Sequence, residues 1–560
     1  MYPKSKLAQL ILLACNKFKI QTAVISPGSR NAPLIIGFTG CSKLNAYSIV
    51  DERCASFFAL GIAQQKQKPV ILLCTSGTAL LNYYPAIAEA FYSHIPLVII
   101  SADRPEHLID IGEGQAIKQQ NVFAKHVLFS ANLIDTPDMC THNAELVCQA
   151  FSNAITHSKP VHINIPFDEP LYQVINTLDL KITKSFNSIY QKAAQVFKQK
   201  TKPIINYKKL ADLWNASKKK IILIGLNYPS AKLEEVIKIY AEDASVLILT
   251  ETTSNIHGSC FINSIDQLIT PLSDKEFKEL RPNILLSIGG LIISKRIKAF
   301  FRKYQPAEHW YIDKRNALDT YFCLSESIKE DPVNFMTNFL THIKQIKSNY
   351  KTYWLSVKKQ RSTKHESYLK KIAFSDLKVM QSTLQSIPEH CQLQLGNSTV
   401  VRYAQLFKLK PTLKVFCNRG TSGIDGCTST AVGAALSSEV QTVLITGDIS
   451  FYYDSNALWN MYIPKSFRII IVNNSGGGIF KIISGPQSTK ALEYFETPHQ
   501  LNAENLAKTY GFEYRSANNS AELAKALNDF YQLSSRPKIL EIFTPTNIND
   551  TILKQYFAHL

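Results

Sequence analysis

The chain of 560 residues contains no apolar stretch as long as the roughly 18 residues that a membrane-spanning helix needs. Its 22 glycines and 24 prolines are too few for a fibrous or low-complexity protein, and 19% charged residues are ordinary for a globular one. Its 11 cysteines include no CxxC pair, and no HExxH motif occurs. These shortages argue against a membrane span, a disordered chain, a zinc site and a disulfide framework. They predict a folded cytoplasmic protein with reduced thiols.

The beginning of the chain has two features of a signal peptide, because Lys4 and Lys6 precede the apolar run Leu10–Ala14. However, the apolar residues recur at helical spacing, the run is short, and no small-residue cleavage site follows it. The pattern therefore predicts an amphipathic first helix.

The net charge of +18 raises the question of anionic partners: nucleic acid, an acidic membrane or anionic substrates. Part of the excess lies in two lysine-rich stretches, Lys181–Lys202 and Lys344–Lys371. We interpret them as exposed connectors between domains, and solvated helix faces within one large domain are the alternative. No helix-turn-helix, zinc-finger or RNA-binding strand motif accompanies the charge, which argues against a nucleic-acid-binding protein.

Short apolar strands alternate with helical patterns, which is typical of a parallel sheet covered on both faces. One order of elements occurs twice: a helix with a glycine, a strand, a glycine turn, a helix ending in Ile-Pro, and a second strand. The strands of the two copies are Val70–Cys74 and Leu97–Ile100, then Val443–Ile445 and Arg468–Val472. The repetition predicts two equivalent α/β units with a third block of the same kind between them. Coincidence is the alternative, since α/β proteins often repeat this order.

Polar residues follow two strands of the second copy. Gly447 and Asp448 come after the first of them, and Asn473, Asn474 and Gly476 come after the next. A carboxylate, a carboxamide and a glycine carbonyl suit a hard divalent cation that also binds diphosphate oxygens. Each motif alone is a common turn, whereas their ordered combination is more specific.

Together with this combination, eight other motifs resemble the family of 2-succinyl-5-enolpyruvyl-6-hydroxy-3-cyclohexene-1-carboxylate synthases, thiamine-diphosphate-dependent enzymes of menaquinone biosynthesis. These motifs are Ser26-Pro27-Gly28-Ser29-Arg30-Asn31, Asp51-Glu52-Arg53, Thr75-Ser76-Gly77-Thr78, Ser101-Ala102-Asp103-Arg104-Pro105, Val161-His162-Ile163-Asn164-Ile165-Pro166, Gly396-Asn397-Ser398, Asn418-Arg419-Gly420 and Gly423-Ile424-Asp425-Gly426.

The resemblance implies three doubly wound parallel-sheet α/β domains. They are a pyrimidine-binding domain at 1–180, a central domain at 200–345 and a diphosphate-binding domain at 372–560. It also implies thiamine diphosphate with Mg²⁺ or Mn²⁺ as cofactors, and a cytoplasmic homodimer or homotetramer with active sites between subunits. The implied reaction decarboxylates 2-oxoglutarate and adds the resulting succinyl carbanion equivalent to isochorismate. Neither nucleic acid nor membrane is an implied partner.

Glu52 is the acidic residue that we assign to the aminopyrimidine of the cofactor. A carboxyl group that is hydrogen-bonded to that ring favours the tautomer that deprotonates the thiazolium carbon. The alternative is a charge that stabilises the start of the helical pattern Ala55–Ala63, a role that Asp51 and Glu52 suit equally.

The other site residues come from the same resemblance. Arginines suit the substrates, because both substrates are dicarboxylates and a guanidinium binds a carboxylate with two hydrogen bonds. The residues that match substrate positions are Ser29, Arg30, Arg104, Gln115, Lys295, Arg296, Ser398, Arg402 and Arg419. Those that match cofactor positions are Glu52, Ile424, Gly447, Asp448, Asn474, Gly476, Ile479 and Phe480, with Asp448, Asn474 and Gly476 as metal ligands. Ile424 is expected to wedge the cofactor into a bent shape, and an ordinary core isoleucine is the alternative.

Two other functions remain open. Another thiamine-diphosphate-dependent 2-oxo acid decarboxylase or carboligase would keep Asp448 and Asn474 but would not need the arginine set. A basic, non-catalytic polyanion-binding protein would concentrate its cations on one element with interleaved aromatic residues. None of the 13 histidines has ligand spacing, so we assign no histidine to the site.

Overall fold

The computed structural model describes residues 1–198, 204–483 and 485–560. Within these residues the chain forms two compact units. The first comprises the described part of Met1–Thr201 with Asn418–Thr442 and Ser450–Phe467, and the second comprises the described part of Lys202–Cys417 with Val443–Ile449 and Arg468–Leu560. The predicted start of the central domain at residue 200 and the end of the connector Lys181–Lys202 lie outside the described residues.

The N-terminal part contains strands β1 Tyr2–Pro3, β2 Thr22–Ile25, β3 Asn45–Ser48, β4 Val70–Cys74, β5 Leu97–Asp103, β6 Ser130–Asn132, β7 Val161–Pro166 and β8 Val174–Ile175. Its helices are α1 Lys6–Lys17, α2 Ala32–Thr39, α3 Glu52–Lys66, α4 Ala79–Asn82, α5 Tyr84–Ser93, α6 Cys140–His157 and α7 Leu180–Lys198. Six strands form a parallel sheet in the order β3-β2-β4-β5-β7-β6, and β1 pairs antiparallel with β8.

The central part contains strands β9 Lys220–Ile224, β10 Val246–Thr250, β11 Ile284–Ile288, β12 Glu308–Ile312 and β13 Glu326–Ile328. Its helices are α8 Tyr207–Ala216, α9 Ala231–Tyr240, α10 Ile265–Ile269, α11 Asp274–Leu280, α12 Lys295–Lys303, α13 Pro332–Leu340 and α14 Tyr350–Leu369. The strands form a parallel sheet in the order β10-β9-β11-β12-β13.

The C-terminal part contains strands β14 Gln392–Leu395, β15 Lys414–Phe416, β16 Thr442–Gly447, β17 Arg468–Asn473, β18 Glu513–Ala517 and β19 Lys538–Phe543. Its helices are α15 Asp376–Ser386, α16 Thr399–Ala404, α17 Cys427–Leu436, α18 Asp448–Tyr453, α19 Ile479–Ile482, α20 Leu492–Glu496, α21 Glu504–Thr509, α22 Ser520–Leu527 and α23 Asn549–His559. The strands form one sheet in the order β15-β14-β16-β17-β19-β18.

The N-terminal and C-terminal sheets have the same strand order. If the six strands of each sheet are numbered 1 to 6 along the chain, both sheets have the order 2-1-3-4-6-5. The repeated order of elements in the sequence is therefore a repeated topology. With the central sheet, it confirms the predicted class of three doubly wound parallel-sheet α/β domains.

The local sequence explains these elements. All residues of β4 and β9 are buried, since continuous apolar runs form strands that are covered on both faces. Helix α1 forms where predicted, but it is not amphipathic, because residues 7–15 are all buried, Gln9 included. The side chain of Ser5 accepts a hydrogen bond from the Ala8 N–H. None of the helices in the described ranges is both long and apolar enough to cross a membrane.

In each sheet, the loop after the first strand lies very close to the carboxyl end of the third strand or to the residues that directly follow it. A Cβ added to Gly28 would lie 2.4 Å from Thr75 Cβ, and one added to Gly396 would lie 2.9 Å from Thr446 Oγ1. In the central sheet, a Cβ on Gly225 would lie 2.2 Å from the Gly290 carbonyl oxygen. The strand order reverses at this position, where α/β sheets bind their ligands.

Helices α3 and α17 also pack through glycine within the first unit. A Cβ on Gly61 would lie 2.1 Å from the Thr430 carbonyl oxygen, and one on Gly433 would lie 2.0 Å from that of Phe58. The two backbones therefore touch, which holds the helix that begins at Glu52 against the segment that follows Gly426.

We predict that Gly225→Ala lowers the free energy of unfolding by about 1–3 kcal/mol, because the added methyl group overlaps backbone that cannot rotate away. Urea unfolding followed by circular dichroism measures the change. Gly114→Ala is the matched control, since no atom lies within 4 Å of its added Cβ. Equal stability of the two variants would contradict the close approach.

Candidate active site

The ends of β16 and β17 lie side by side, because Gly447 pairs with Val472 in parallel register. This register brings Asp448 next to the turn that follows Asn473. Asp448 is buried, its Oδ1 accepts a hydrogen bond from the Ile449 N–H at 2.7 Å, and its Oδ2 accepts one from the Gly476 N–H at 3.0 Å. The structure thus brings together three predicted cofactor residues of the second unit.

Asn474 is the fourth residue of this cluster. Its Nδ2 donates a 2.8 Å hydrogen bond to Asp376 Oδ2, whereas its Oδ1 is buried and accepts no hydrogen bond from any described residue. A carboxylate, an amide oxygen and the Gly476 carbonyl are oxygen donors of the kind that Mg²⁺ and Mn²⁺ prefer. The residues present therefore fit a divalent cation. The described residues contain no cluster of three His, Cys, Asp or Glu side chains suited to a metal.

Backbone conformation and close neighbouring atoms explain the glycines of this turn. Gly476 has a φ of +150°, and a Cβ on it would lie 2.8 Å from the Glu496 carbonyl oxygen. A Cβ on Gly478 would lie 2.9 Å from Asn474 Nδ2. Gly447 has no atom within 4 Å of an added Cβ, so its bare backbone faces open space beside Asp448.

Two members of this cluster escaped the sequence analysis. Asp376 is fully buried, and burial raises its pKa to about 6, with a smaller contribution from the charge of Asp448. His499 Nε2 lies 3.3 Å from Asp448 Oδ2, although no histidine was expected near the site. Both residues lie far along the chain from their partners, and no local pattern marks them.

Ile479 and Phe480 form the start of α19, directly after the glycine turn, and both are half-buried. Phe480 packs against Phe495 with ring centroids 5.4 Å apart. These side chains provide an apolar surface next to the polar cluster.

Glu52 occupies the first turn of α3 in the first unit. Asp51 is the helix cap, since its side chain accepts a hydrogen bond from the Cys54 N–H. Burial raises the pKa of Glu52, and the charge of Asp51 adds to this effect. The negative charge of Glu52 also raises the pKa values of the buried groups Cys74 and Tyr83, after the larger effect of their own burial, which places the carboxyl near them.

Arg53 anchors the start of α3 to the segment that contains Ile424. Its guanidinium donates to the Asp425 carbonyl and to Asp454 Oδ1, the latter at 2.9 Å. Burial raises the pKa of Asp454 to about 6, although Arg53 and Ser429 oppose the shift. The Ile424 carbonyl accepts a 2.8 Å hydrogen bond from Ser450, and its side chain is half-buried. Asp454 was not predicted from the sequence.

Arg30 and Arg104 lie near one another at the edge of the N-terminal sheet. Burial and the charge of Arg104 lower the pKa of Arg30. Arg30 donates to the Phe167 carbonyl at 2.9 Å, and Arg104 donates to the Gly114 carbonyl at 2.9 Å. The Nε atom of each is buried without a hydrogen-bond partner among the described residues. Paired guanidiniums with unused donors suit an anionic ligand.

Two other expected substrate residues lie on the loops of this edge, and both are exposed. Ser29 directly precedes Arg30. The backbone of Gln115 packs against Gly77, whose added Cβ would lie 3.2 Å from Gln115 Cα. Their side chains face solvent.

Arg419 is buried in the first unit, and its loop is held by a neighbouring helix. The carboxylate of Glu89 accepts hydrogen bonds from the backbone N–H groups of Gly420 at 2.7 Å and Thr421 at 2.6 Å. Glu89 lies on α5, far from this loop in the sequence, and it was not expected in the site.

The remaining cations belong to the second unit. Asp266 lies close to both Arg296 and Arg402: burial raises its pKa, and the two arginines lower it. Ser294 caps α12 just before Lys295 and donates to Asp266. Arg402 donates to the Ser398 carbonyl, and Ser398 has a φ of +70° at the start of α16. Lys295 is exposed. Arg296 and Arg402 thus both lie within electrostatic range of one half-buried carboxylate.

Three domains of a known enzyme family match successive segments of the chain. The N-terminal TPP binding domain of thiamine pyrophosphate enzymes matches residues 5–126, the middle domain of these enzymes matches 184–395, and their C-terminal TPP binding domain matches 395–542.

Similar full-length proteins are named 2-succinyl-5-enolpyruvyl-6-hydroxy-3-cyclohexene-1-carboxylate synthase. The one from Flavobacterium johnsoniae is 52% identical and that from Flavobacterium psychrophilum 50% identical, each alignment covering 100% of both chains. The one from Christiangramia forsetii is 48% identical over 99% of both chains. This chain therefore belongs to the thiamine pyrophosphate enzymes and, among them, to the 2-succinyl-5-enolpyruvyl-6-hydroxy-3-cyclohexene-1-carboxylate synthase family.

Proposed function

We propose that this enzyme decarboxylates 2-oxoglutarate and adds the remaining four-carbon unit to isochorismate. The product is 2-succinyl-5-enolpyruvyl-6-hydroxy-3-cyclohexene-1-carboxylate, an intermediate of menaquinone biosynthesis. Two findings support the proposal: the family of the chain, and cations at strand ends that suit dicarboxylates. The substrate class is inferred mainly from Arg30 and Arg104. These two arginines lie near each other, and the Nε of each is buried without a hydrogen-bond partner among the described residues.

We assign the cofactor thiamine diphosphate and a Mg²⁺ or Mn²⁺ ion to this protein. When bound, thiamine diphosphate supplies a thiazolium carbon that accepts a 2-oxo acid and delocalises the electron pair left by decarboxylation. Asp448, Asn474 and Gly476 would hold the cation, with Gly447 leaving room beside them. The buried Oδ1 of Asn474 supports this assignment, because such an acceptor is costly to leave without a partner.

Glu52 is proposed as the catalytic acid and base toward the aminopyrimidine ring. Because Asp51 caps the helix, the helix start does not need the Glu52 carboxyl for that role. The carboxyl is half-buried, and its raised pKa makes proton donation and acceptance near neutral pH easier. Ile424, Ile479 and Phe480 are the proposed apolar contacts of the cofactor.

The dicarboxylate substrates are proposed to bind cations at the strand ends. In the first unit these are Arg30, Arg104 and Arg419, helped by Ser29 and Gln115. In the second unit they are Lys295, Arg296 and Arg402, helped by Ser398. Asp266 supports this grouping, because the charges of Arg296 and Arg402 both lower its pKa, so both arginines lie near one carboxylate.

The larger organisation is also proposed from the family. The three domains span 1–180, 200–345 and 372–560, and the chain forms a homodimer or homotetramer with active sites between subunits. The protein is placed in the cytoplasm, without nucleic-acid or membrane partners.

The decisive experiment supplies 2-oxoglutarate, Mg²⁺ and thiamine diphosphate to the enzyme, with and without isochorismate, and determines the product by mass spectrometry. We expect the succinylated cyclohexene product only when isochorismate is present. Decarboxylation without joining to isochorismate would favour another thiamine-diphosphate-dependent 2-oxo acid decarboxylase or carboligase.

We predict that Glu52→Gln leaves cofactor affinity largely unchanged but lowers kcat by about 10²–10⁴-fold, because the amide cannot transfer the proton. Calorimetry measures binding, and the product assay measures turnover. Glu145→Gln, an exposed carboxylate on α6, is the control and should retain full activity. Unchanged turnover in Glu52→Gln would rule out the assigned role.

We predict that Asp448→Ala abolishes Mg²⁺-dependent binding of thiamine diphosphate, since the variant lacks the anionic ligand of the metal. The measurement is calorimetric titration at cofactor concentrations that saturate the unaltered protein. Glu504→Ala, which removes an exposed carboxylate of the same unit, should bind normally. Normal binding by Asp448→Ala would refute the metal assignment.

A further inference from the structure

We propose that Asp376 is a positioning residue for the metal site. Its carboxylate orients the side-chain amide of Asn474 so that Oδ1, and not Nδ2, is presented to the cation. The proposal rests on the proposed cation site formed by Asp448, Asn474 and Gly476. It concerns a residue that touches neither cofactor nor substrate and acts through Asn474.

The proposal depends on which atom of the Asn474 amide faces Asp376. Asn474 Nδ2 and Asp376 Oδ2 are 2.8 Å apart, and Thr544 Oγ1 donates to Asp376 Oδ1 at 2.6 Å. An ionised carboxylate only accepts hydrogen bonds, so the amide must turn its NH₂ group toward Asp376. The same rotation points Oδ1 the other way, where it is buried and has no donor among the described residues.

Asp376 is itself held from two sides. It begins helix α15, and its backbone N–H donates to Asn549 Oδ1 at 2.8 Å. Thr544, which follows β19, donates its backbone N–H to the Asn473 carbonyl at 2.9 Å. These contacts fix the carboxylate relative to the end of β17, so its position does not depend on the cation.

The rest of Asn474 is anchored as well. Its carbonyl oxygen accepts a hydrogen bond from Thr546 Oγ1 at 3.0 Å. With the carbonyl oxygen and Nδ2 both engaged, Oδ1 is the side-chain polar atom that has no partner among the described residues.

The preceding asparagine provides an internal comparison. Asn473 Nδ2 also donates to a buried carboxylate, Glu541 Oε1, at 2.8 Å. However, Asn473 Oδ1 accepts a hydrogen bond from the Ser475 N–H at 3.0 Å, so this amide is satisfied at both ends. Two adjacent asparagines thus make the same type of carboxylate contact, and only the amide of Asn474 keeps an unused acceptor.

The test measures the Kd of Mg²⁺ by calorimetry with thiamine diphosphate at saturating concentration. Partners that orient a metal ligand typically change affinity by about 10–100-fold, and we expect Asp376→Asn to raise Kd by this factor. The new amide can donate to Asn474 and so permits the wrong rotamer. Asp376→Glu keeps the charge but displaces the carboxylate, and it should also raise Kd. If Asp376→Glu binds Mg²⁺ with an unchanged Kd, only the charge at position 376 matters, and the proposal is overturned.

A double-mutant cycle separates positioning from a general effect. In the Asn474→Ala background, the amide is absent, and Asp376→Asn should change Kd by less than about threefold. An equal loss in both backgrounds would show that Asp376 does not act through Asn474. Glu541→Gln is the matched control, since it removes the equivalent buried partner of Asn473, and its Kd should stay within about twofold.

Melting temperatures of the metal-free variants show whether each one folds. If Asp376→Asn does not fold, Asp376→Glu and its cycle with Asn474→Ala decide the question. Asp448→Ala distinguishes a failure of the proposed metal site from a failure of the positioning role. If Asp448→Ala still binds Mg²⁺ normally, the proposed site is wrong; if it loses Mg²⁺ while both Asp376 variants retain normal affinity, only the positioning role is wrong.

Discussion

The close approach of two loops at the point where strand order reverses is the constraint on which the candidate site depends. Gly28 and Gly396 occupy this position in the two outer sheets, and a Cβ on either would overlap a threonine at the carboxyl end of the third strand. Arg30 lies two residues beyond the first glycine, and Ser398 two residues beyond the second. Wider separation of these loops would therefore move expected substrate residues away from the residues of the neighbouring strand.

In the second unit, this geometry creates a buried polar cluster. Parallel register places Asp448 beside the turn after Asn473, and the surrounding contacts leave the Oδ1 of Asn474 without a donor. Burial raises the pKa of Asp376, and the nearby charge of Asp448 raises it further. A divalent cation bound to Asp448 would offset the contribution of that charge, which agrees with the proposed site.

The large positive charge has a different meaning from the one that composition alone suggests. The lysines of α14 contribute to the net charge of +18, and three of them bind backbone carbonyls: Lys351 donates to Ala241, Lys358 to Phe261 and Lys364 to Leu560. The arginines assigned to the site differ in exposure: Arg30 is buried, Arg104 and Arg402 are half-buried, and Arg296 is exposed. Arg30 and Arg104 lie together, and Arg296 and Arg402 both act on Asp266. Carboxylates of the protein already lie beside the first pair, since Glu169 Oε1 is 3.6 Å from Arg30 and Glu113 Oε1 is 3.4 Å from Arg104.

Strands, helix α1, the repeated topology and the Asp448–Asn474 motif were all predictable from the sequence, because apolar periodicity and turn residues are local properties. The role of Asp51 as the cap of α3 was ambiguous there, since Asp51 and Glu52 both suit a helix start. Asp376, by contrast, lies 98 residues from Asn474, and its contact depends on how α15 packs against the end of β17. Glu89 and Asp454 likewise contact residues several hundred positions away. Local patterns carry no information on such partners, so folding alone establishes which polar atoms are satisfied and which remain for a ligand.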